Sequence, residues 1–139
     1  MLLKPQFGPF RAPGTLASVS LEGGTPREIA EDVSAADWAP DGSGLAIVRQ
    51  SHRLEFPIGK VLFQSAGWLS HPRFSPGKSI AFLDHPSSTS PAGSLVTCDL
   101  KGAAKVIATG LVWASGVTWS PNGKEVWFSG WRDSRGSGR

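Results

Sequence analysis

The chain has 139 residues, 40% hydrophobic and 18% charged, enough for one domain with a real core. Its net charge of +3 is small, and Arg132, Arg135 and Arg139 sit together at the C-terminal end; no basic face remains elsewhere to hold a phosphate backbone, which argues against nucleic acid as a partner. Cys98 is the single cysteine and rules out an intrachain disulfide, and no apolar run approaches the roughly 18 residues of a membrane-spanning helix, so no membrane insertion is expected.

Gly (17) and Pro (11) make up about a fifth of the chain, a turn-rich composition suited to short strands. Residues 1–14 carry Pro5, Pro9 and Pro13 and read as an irregular lead-in; Met1-Leu2-Leu3 is too short for the apolar part of a signal peptide. Residues 15–21 alternate, with Ala17, Val19 and Leu21 against Ser18 and Ser20, which is strand periodicity. Glu22-Gly23-Gly24-Thr25 is a turn, and residues 26–30 form a second strand with proline first, where its missing N–H does least harm. Strands 34–38 and 45–49 are expected to be joined at Pro40-Asp41-Gly42. Proline presets the corner, Asp bonds back to the backbone, and Gly takes the left-handed position. Strands 53–56 and 60–64 follow. The order repeats with strands 70–74 and 79–84, a Pro- and Ser-rich loop over 85–93, and strands 94–100 and 104–108. Residues 116–129 give two more strands, before a flexible basic tail over 131–139. The expectation is an all-β chain of about twelve strands with no helix.

One pattern occurs three times. Trp38-Ala39-Pro40-Asp41-Gly42 precedes Leu45-Ala46-Ile47-Val48, Phe74-Ser75-Pro76-Gly77 precedes Ile80-Ala81-Phe82-Leu83, and Trp119-Ser120-Pro121-Asn122-Gly123 precedes Val126-Trp127-Phe128. The aromatic anchors lie 36 and 45 residues apart, and four strands at about that period is the arithmetic of a β-propeller blade. The second copy is one residue short between anchor and strand, so its turn must be tighter. A second internal likeness sets Val19-Ser20-Leu21-Glu22-Gly23 beside Cys98-Asp99-Leu100-Lys101-Gly102. Each strand after a signature turn is apolar on both faces, as in a sheet covered on both sides.

These residues resemble the TolB-like, or WD40-like, β-propeller repeat, with its aromatic-Ser-Pro-Asp-Gly turn and Ile-Ala-Phe-like strand. The wording of residues 25–29 and 70–76 is most similar to propeller regions appended to bacterial serine/threonine kinases. The resemblance covers about residues 15–130 and implies antiparallel four-stranded blades: a half blade, two full blades and another half, as an open arc. The expectation is a fragment of a longer propeller; the alternative is copies that self-associate through open blade faces. The resemblance implies a non-enzymatic protein-interaction or ligand-sensing module without a cofactor. Its partner would be another protein or the missing part of its own propeller. A second possibility is the substrate-gating propeller of a prolyl-oligopeptidase-like hydrolase. Propellers bind at their channel mouths, which points to the loops before Ser34, Ser70 and Ser115 and to the loop over 85–93, with His71 and His85 beside them.

Reactive motifs are few. Gly77-Lys78-Ser79 ends like a P-loop, but the required earlier glycine is Pro72 and a strand follows where a helix should. There is no Gly-x-Ser-x-Gly elbow and no His-Glu-x-x-His pair. His52, His71 and His85 are too scattered for a local metal site, although the last two flank one hairpin. Cys98 lies in an apolar alternation and reads as a small buried hydrophobe. Asp37 and Arg73, each just before an anchor, are expected to pair between blades; the alternative is that they bind something at the channel mouth. The tryptophans are expected to fill gaps between blades; the alternative, a base- or sugar-stacking platform, needs several of them exposed.

Overall fold

The computed structural model describes residues 13–132. Most of the expected lead-in and tail lie outside the described residues. Among these residues the chain is all-β, without a helix. Its ten strands are β1 (Gly14–Ser18), β2 (Arg27–Trp38), β3 (Leu45–Arg49), β4 (Arg53–Glu55), β5 (Val61–Gln64), β6 (Trp68–Phe74), β7 (Ser79–His85), β8 (Gly93–Asp99), β9 (Ala104–Trp119) and β10 (Val126–Arg132). They form two antiparallel five-stranded sheets in chain order, β1 to β5 and β6 to β10. Strand β10 runs two residues into the stretch expected to be tail.

Two strands are long because each serves two hairpins. The first part of β2 pairs with β1 (Arg27 opposite Ser18, Ala30 opposite Leu16) and the second with β3 (Ala36 opposite Ile47, Trp38 opposite Leu45). Strand β9 likewise sets Lys105 and Ala108 against Thr97 and Leu95 of β8, then Ala114 and Thr118 against Gly130 and Trp127 of β10. The expected breaks before Ser34 and Ser115 are therefore absent. Val33 is paired with both Gly14 and Arg49, and Leu111 with both Gly93 and Arg132. Ladder pairing resumes on the far side of each corner, and at the first the Asp32 carbonyl accepts from Gln50 N–H and the Glu31 carbonyl from Arg49 Nη1. The chain turns instead at Asp32 (φ 58°) and Gly110 (φ 68°) without leaving the strand.

The hairpins repeat in register as well as in sequence. Trp68–His85, Leu69–Asp84, Ser70–Leu83, Arg73–Ala81 and Phe74–Ile80 of β6–β7 return in β9–β10. There they are Trp113–Trp131, Ala114–Gly130, Ser115–Ser129, Thr118–Trp127 and Trp119–Val126. The same register break recurs, with His71 (φ 53°) in one copy and Gly116 (φ 65°) in the other. Hairpin β8–β9 (Gly93–Leu111, Leu95–Ala108, Val96–Val106, Thr97–Lys105) is matched by β1–β2 (Gly14–Val33, Leu16–Ala30, Ala17–Glu28, Ser18–Arg27).

The turns repeat too. In the first and third signatures Gly42 N–H donates to the Ala39 carbonyl and Gly123 N–H to that of Ser120, both at 2.9 Å. Asp41 and Asn122 accept from the N–H two residues on. The second signature closes one residue sooner: Ser75 N–H donates to the Ser79 carbonyl, and the Ser75 hydroxyl accepts from Gly77 and Ser79. This is the tighter turn that the spacing requires.

Two cores hold the layers. Ala46, Val48 and Leu54 of the first sheet pack on Leu69, Ile80, Phe82 and Val96 of the second. The second sheet curls over itself, so that Ala81, Leu83 and Leu95 lie beneath Ala114 and Val117, flanked by Trp119, Val126 and Phe128. Strand β7 is thus buried on both faces, Ile80 and Phe82 into one core and Ala81 and Leu83 into the other. That two-sided burial is what its unbroken apolar run anticipates.

Candidate functional site

The densest group of polar side chains lies where β6 meets the end of β7. The register places Trp68 opposite His85, and the two rings stack with centroids 3.7 Å apart and planes at 11°. Loop 86–92 closes over them: Trp68 Nε1 donates to the Ser87 carbonyl at 3.0 Å, and His85 Nδ1 lies 2.9 Å from the Pro91 carbonyl. A carbonyl only accepts, so Nδ1 carries the proton; burial lowers the His85 pKa and keeps the ring neutral. Its bare Nε2 then accepts from the Ser70 hydroxyl at 2.8 Å, and Ser70 Oγ accepts from His71 Nδ1 at 2.9 Å. Beside them Asp84 accepts from the Ser65 hydroxyl, which itself accepts from Gly67 N–H.

This chain has the atoms of a serine–histidine dyad but lacks the access. Ser70 is 1% exposed, and its hydroxyl is engaged both as donor and as acceptor. The histidine is oriented by a peptide carbonyl instead of a carboxylate. What the arrangement does physically is tie a loop and two strands together.

Of the residues singled out in the sequence, Ser70, His71 and His85 come together here. Ser34 and Ser115 do not join them. Ser34 lies within β2, its hydroxyl 3.5 Å from the Val48 carbonyl, and Ser115 lies within β9 opposite Ser129. Sequence reasoning missed Trp68 and the Pro91 carbonyl. A signal existed in the repeat, since Trp113–Trp131 occupies the Trp68–His85 position, with ring centroids 5.3 Å apart.

A second constellation laces the sheets. Asp37 Oδ2 accepts from Phe74 N–H at 2.8 Å, and Oδ1 lies 3.6 Å from Arg73 Nη1. Asp37 and Arg73 thus pair as expected, across from β2 to β6. The Arg73 carbonyl then accepts from Trp119 Nε1 at 2.9 Å, so β2, β6 and β9 are linked in sequence. Within the first sheet, buried Glu55 accepts from Arg49 Nε at 3.0 Å and from Gly59 N–H at 2.9 Å. A cleft of about 250 Å³ opens between the first two signature turns, with Asp41 and Lys78 at its rim and Phe56 and Phe74 in its wall. Hydrogen bonds from Ser43, with Lys78 nearby, hold the Asp41 carboxyl below its ordinary range.

Among the described residues no group of three His, Cys, Asp or Glu could hold a metal ion, and no helix is long and apolar enough to cross a membrane. Burial pushes the Cys98 thiol up to about 11, away from the thiolate form a nucleophile needs. Trp68 is buried against His85 of its own hairpin, and Trp119 packs on the second core. Trp38, Trp113, Trp127 and Trp131 are exposed, with no further layer over them among the described residues. Compared with known protein-family models and with curated protein sequences, the chain matches none.

Proposed function

We propose that the chain is a segment of a TolB-like β-propeller that works by binding, as a non-enzymatic protein-interaction or ligand-sensing module. The observation that carries this reading is the repeated hairpin register, together with the lacing of β2, β6 and β9 through Asp37, Arg73 and Trp119. Side-by-side first strands of successive four-stranded units are the arrangement of propeller blades around an axis. The groups that could do covalent chemistry, Ser70 and Cys98, are buried, whereas the signature-turn cleft and the exposed tryptophans offer contact surface. The test is a peptide-array screen with the whole chain, followed by hydrogen exchange on any complex. Protection is expected at the signature turns or at the strand ends around loop 86–92. Hydrolysis of ester or peptide substrates that disappears in Ser70→Ala would overturn the reading.

A further inference from the structure

The repeating unit has four strands. The second part of β2 with β3, β4 and β5 makes one copy, and β6, β7 and β8 with the first part of β9 make another. A half unit remains at each end. Strand β1 with the first part of β2 reproduces the third and fourth strands, in the register of β8–β9. The second part of β9 with β10 reproduces the first and second strands, in the register of β6–β7. Among the described residues the outer edges of β1 and β10 face no strand. Each half lacks what the other half is.

We propose that a second copy of this chain docks head to tail, its β10 pairing antiparallel with β1, and that two such contacts close a dimer. Together the two copies hold six four-stranded units. A closed pair uses up both edges, whereas an unclosed head-to-tail contact would grow into a filament. The pairing rests on the same repeat as the propeller reading, and it comes with a register. The pairs Ile80–Cys98, Ala81–Thr97, Phe82–Val96, Leu83–Leu95 and Asp84–Ser94 join β7 to β8. Carried over through the repeat, they join Val126, Trp127, Phe128, Ser129 and Gly130 of one copy to Val19, Ser18, Ala17, Leu16 and Thr15 of the second copy.

Exposed aromatic side chains stand on both sides of this contact. At the two internal junctions, Ala46 and Val48 pack beneath Phe74, and Ala81 and Leu83 beneath Trp119. The same relation at the open ends lays Trp127, 63% exposed, against Trp38 and Leu45 of the second copy, where Trp38 is 60% exposed. A groove of about 370 Å³ runs along Leu16, Ile29, Ala36, Trp38 and Leu45, between the outer hairpin and the first strands of its neighbour. It lies where the two missing strands belong. Trp38 Nε1 of the second copy would meet the Thr118 carbonyl as Trp119 Nε1 meets that of Arg73.

Light scattering on the full chain at tens of micromolar is expected to give twice the chain mass. Trp127→Lys changes an exposed residue and should give a monomer with an unchanged far-ultraviolet circular dichroism spectrum. For register, Leu16→Cys combined with Ser129→Cys should oxidise to a covalent dimer, because directly opposed Cα atoms fall within disulfide reach. Leu16→Cys with Trp131→Cys, two residues out of register, should not. A monomeric wild type would mean that other segments or another protein cover these edges, and would overturn the proposal while leaving the binding reading to its own test. A dimer that survives Trp127→Lys, or cross-links equally out of register, would also overturn it.

Discussion

His85 shows how one buried ring makes stability depend on pH. Burial lowers its folded-state pKa from the ordinary value of 6.5. Above that value the ring is neutral whether the chain is folded or not, and its contribution is fully present. Below it the unfolded chain takes up the proton first, so stability falls with pH until the folded-state pKa is reached. The slope is at most about 1.4 kcal/mol per pH unit for one group. The melting temperature is expected to drop between pH 7 and pH 5, and His85→Gln should flatten that drop; an unchanged profile would contradict the assignment. Gly67 is constrained by contact instead of charge. A Cβ there would stand 2.0 Å from the His85 carbonyl oxygen, against backbone that cannot swing away. Gly67→Ala should cost about 2–4 kcal/mol in urea melts, with the loss concentrated around loop 86–92.

At the scale of elements, much was legible because local chemistry decides it. Leu45–Arg49 is the strand that its apolar run predicts, and the three signature turns close as proline, Asx and glycine positions dictate. The long strands were not legible, because Asp32 and Gly110 look like breakers in sequence. Only pairing to hairpins on both sides carries one strand through a left-handed corner, and that information is tertiary. The same holds for the site. His71 and His85 flank a recognisable hairpin, yet their link through Ser70 depends on the register break that turns His71 to positive φ. The Asp37–Arg73 pairing was visible from matched positions in successive repeats. Its main strength lies in the Phe74 N–H bond, since the ion pair is partly exposed and solvent-screened. Asp37→Ala should therefore cost about 1–2 kcal/mol, and Arg73→Ala noticeably less. Equal losses would shift the weight to the ion pair.

Over the whole molecule, the exposure of four tryptophans could not be read from sequence, because a residue's burial depends on which layer happens to lie beyond it. Trp38 and Trp119 hold equivalent places in the repeat, yet Trp38 is exposed and Trp119 lies over the second core. The two cores share β7, so loss of either uncovers the other. Equilibrium unfolding is expected to be a single transition, with tryptophan fluorescence and far-ultraviolet circular dichroism superimposing. Two separated transitions would show that the sheets are independent.

The shared strands β2 and β9 also decide where this architecture can be lengthened. A cut at Asp32 or Gly110 falls inside a strand shared by two hairpins and would separate them. A cut in loop 86–92, between the second and third strands of a unit, interrupts no long strand. The natural splice point for adding or removing a repeat is therefore mid-unit, and a transplanted cassette should carry two second-half strands followed by two first-half strands.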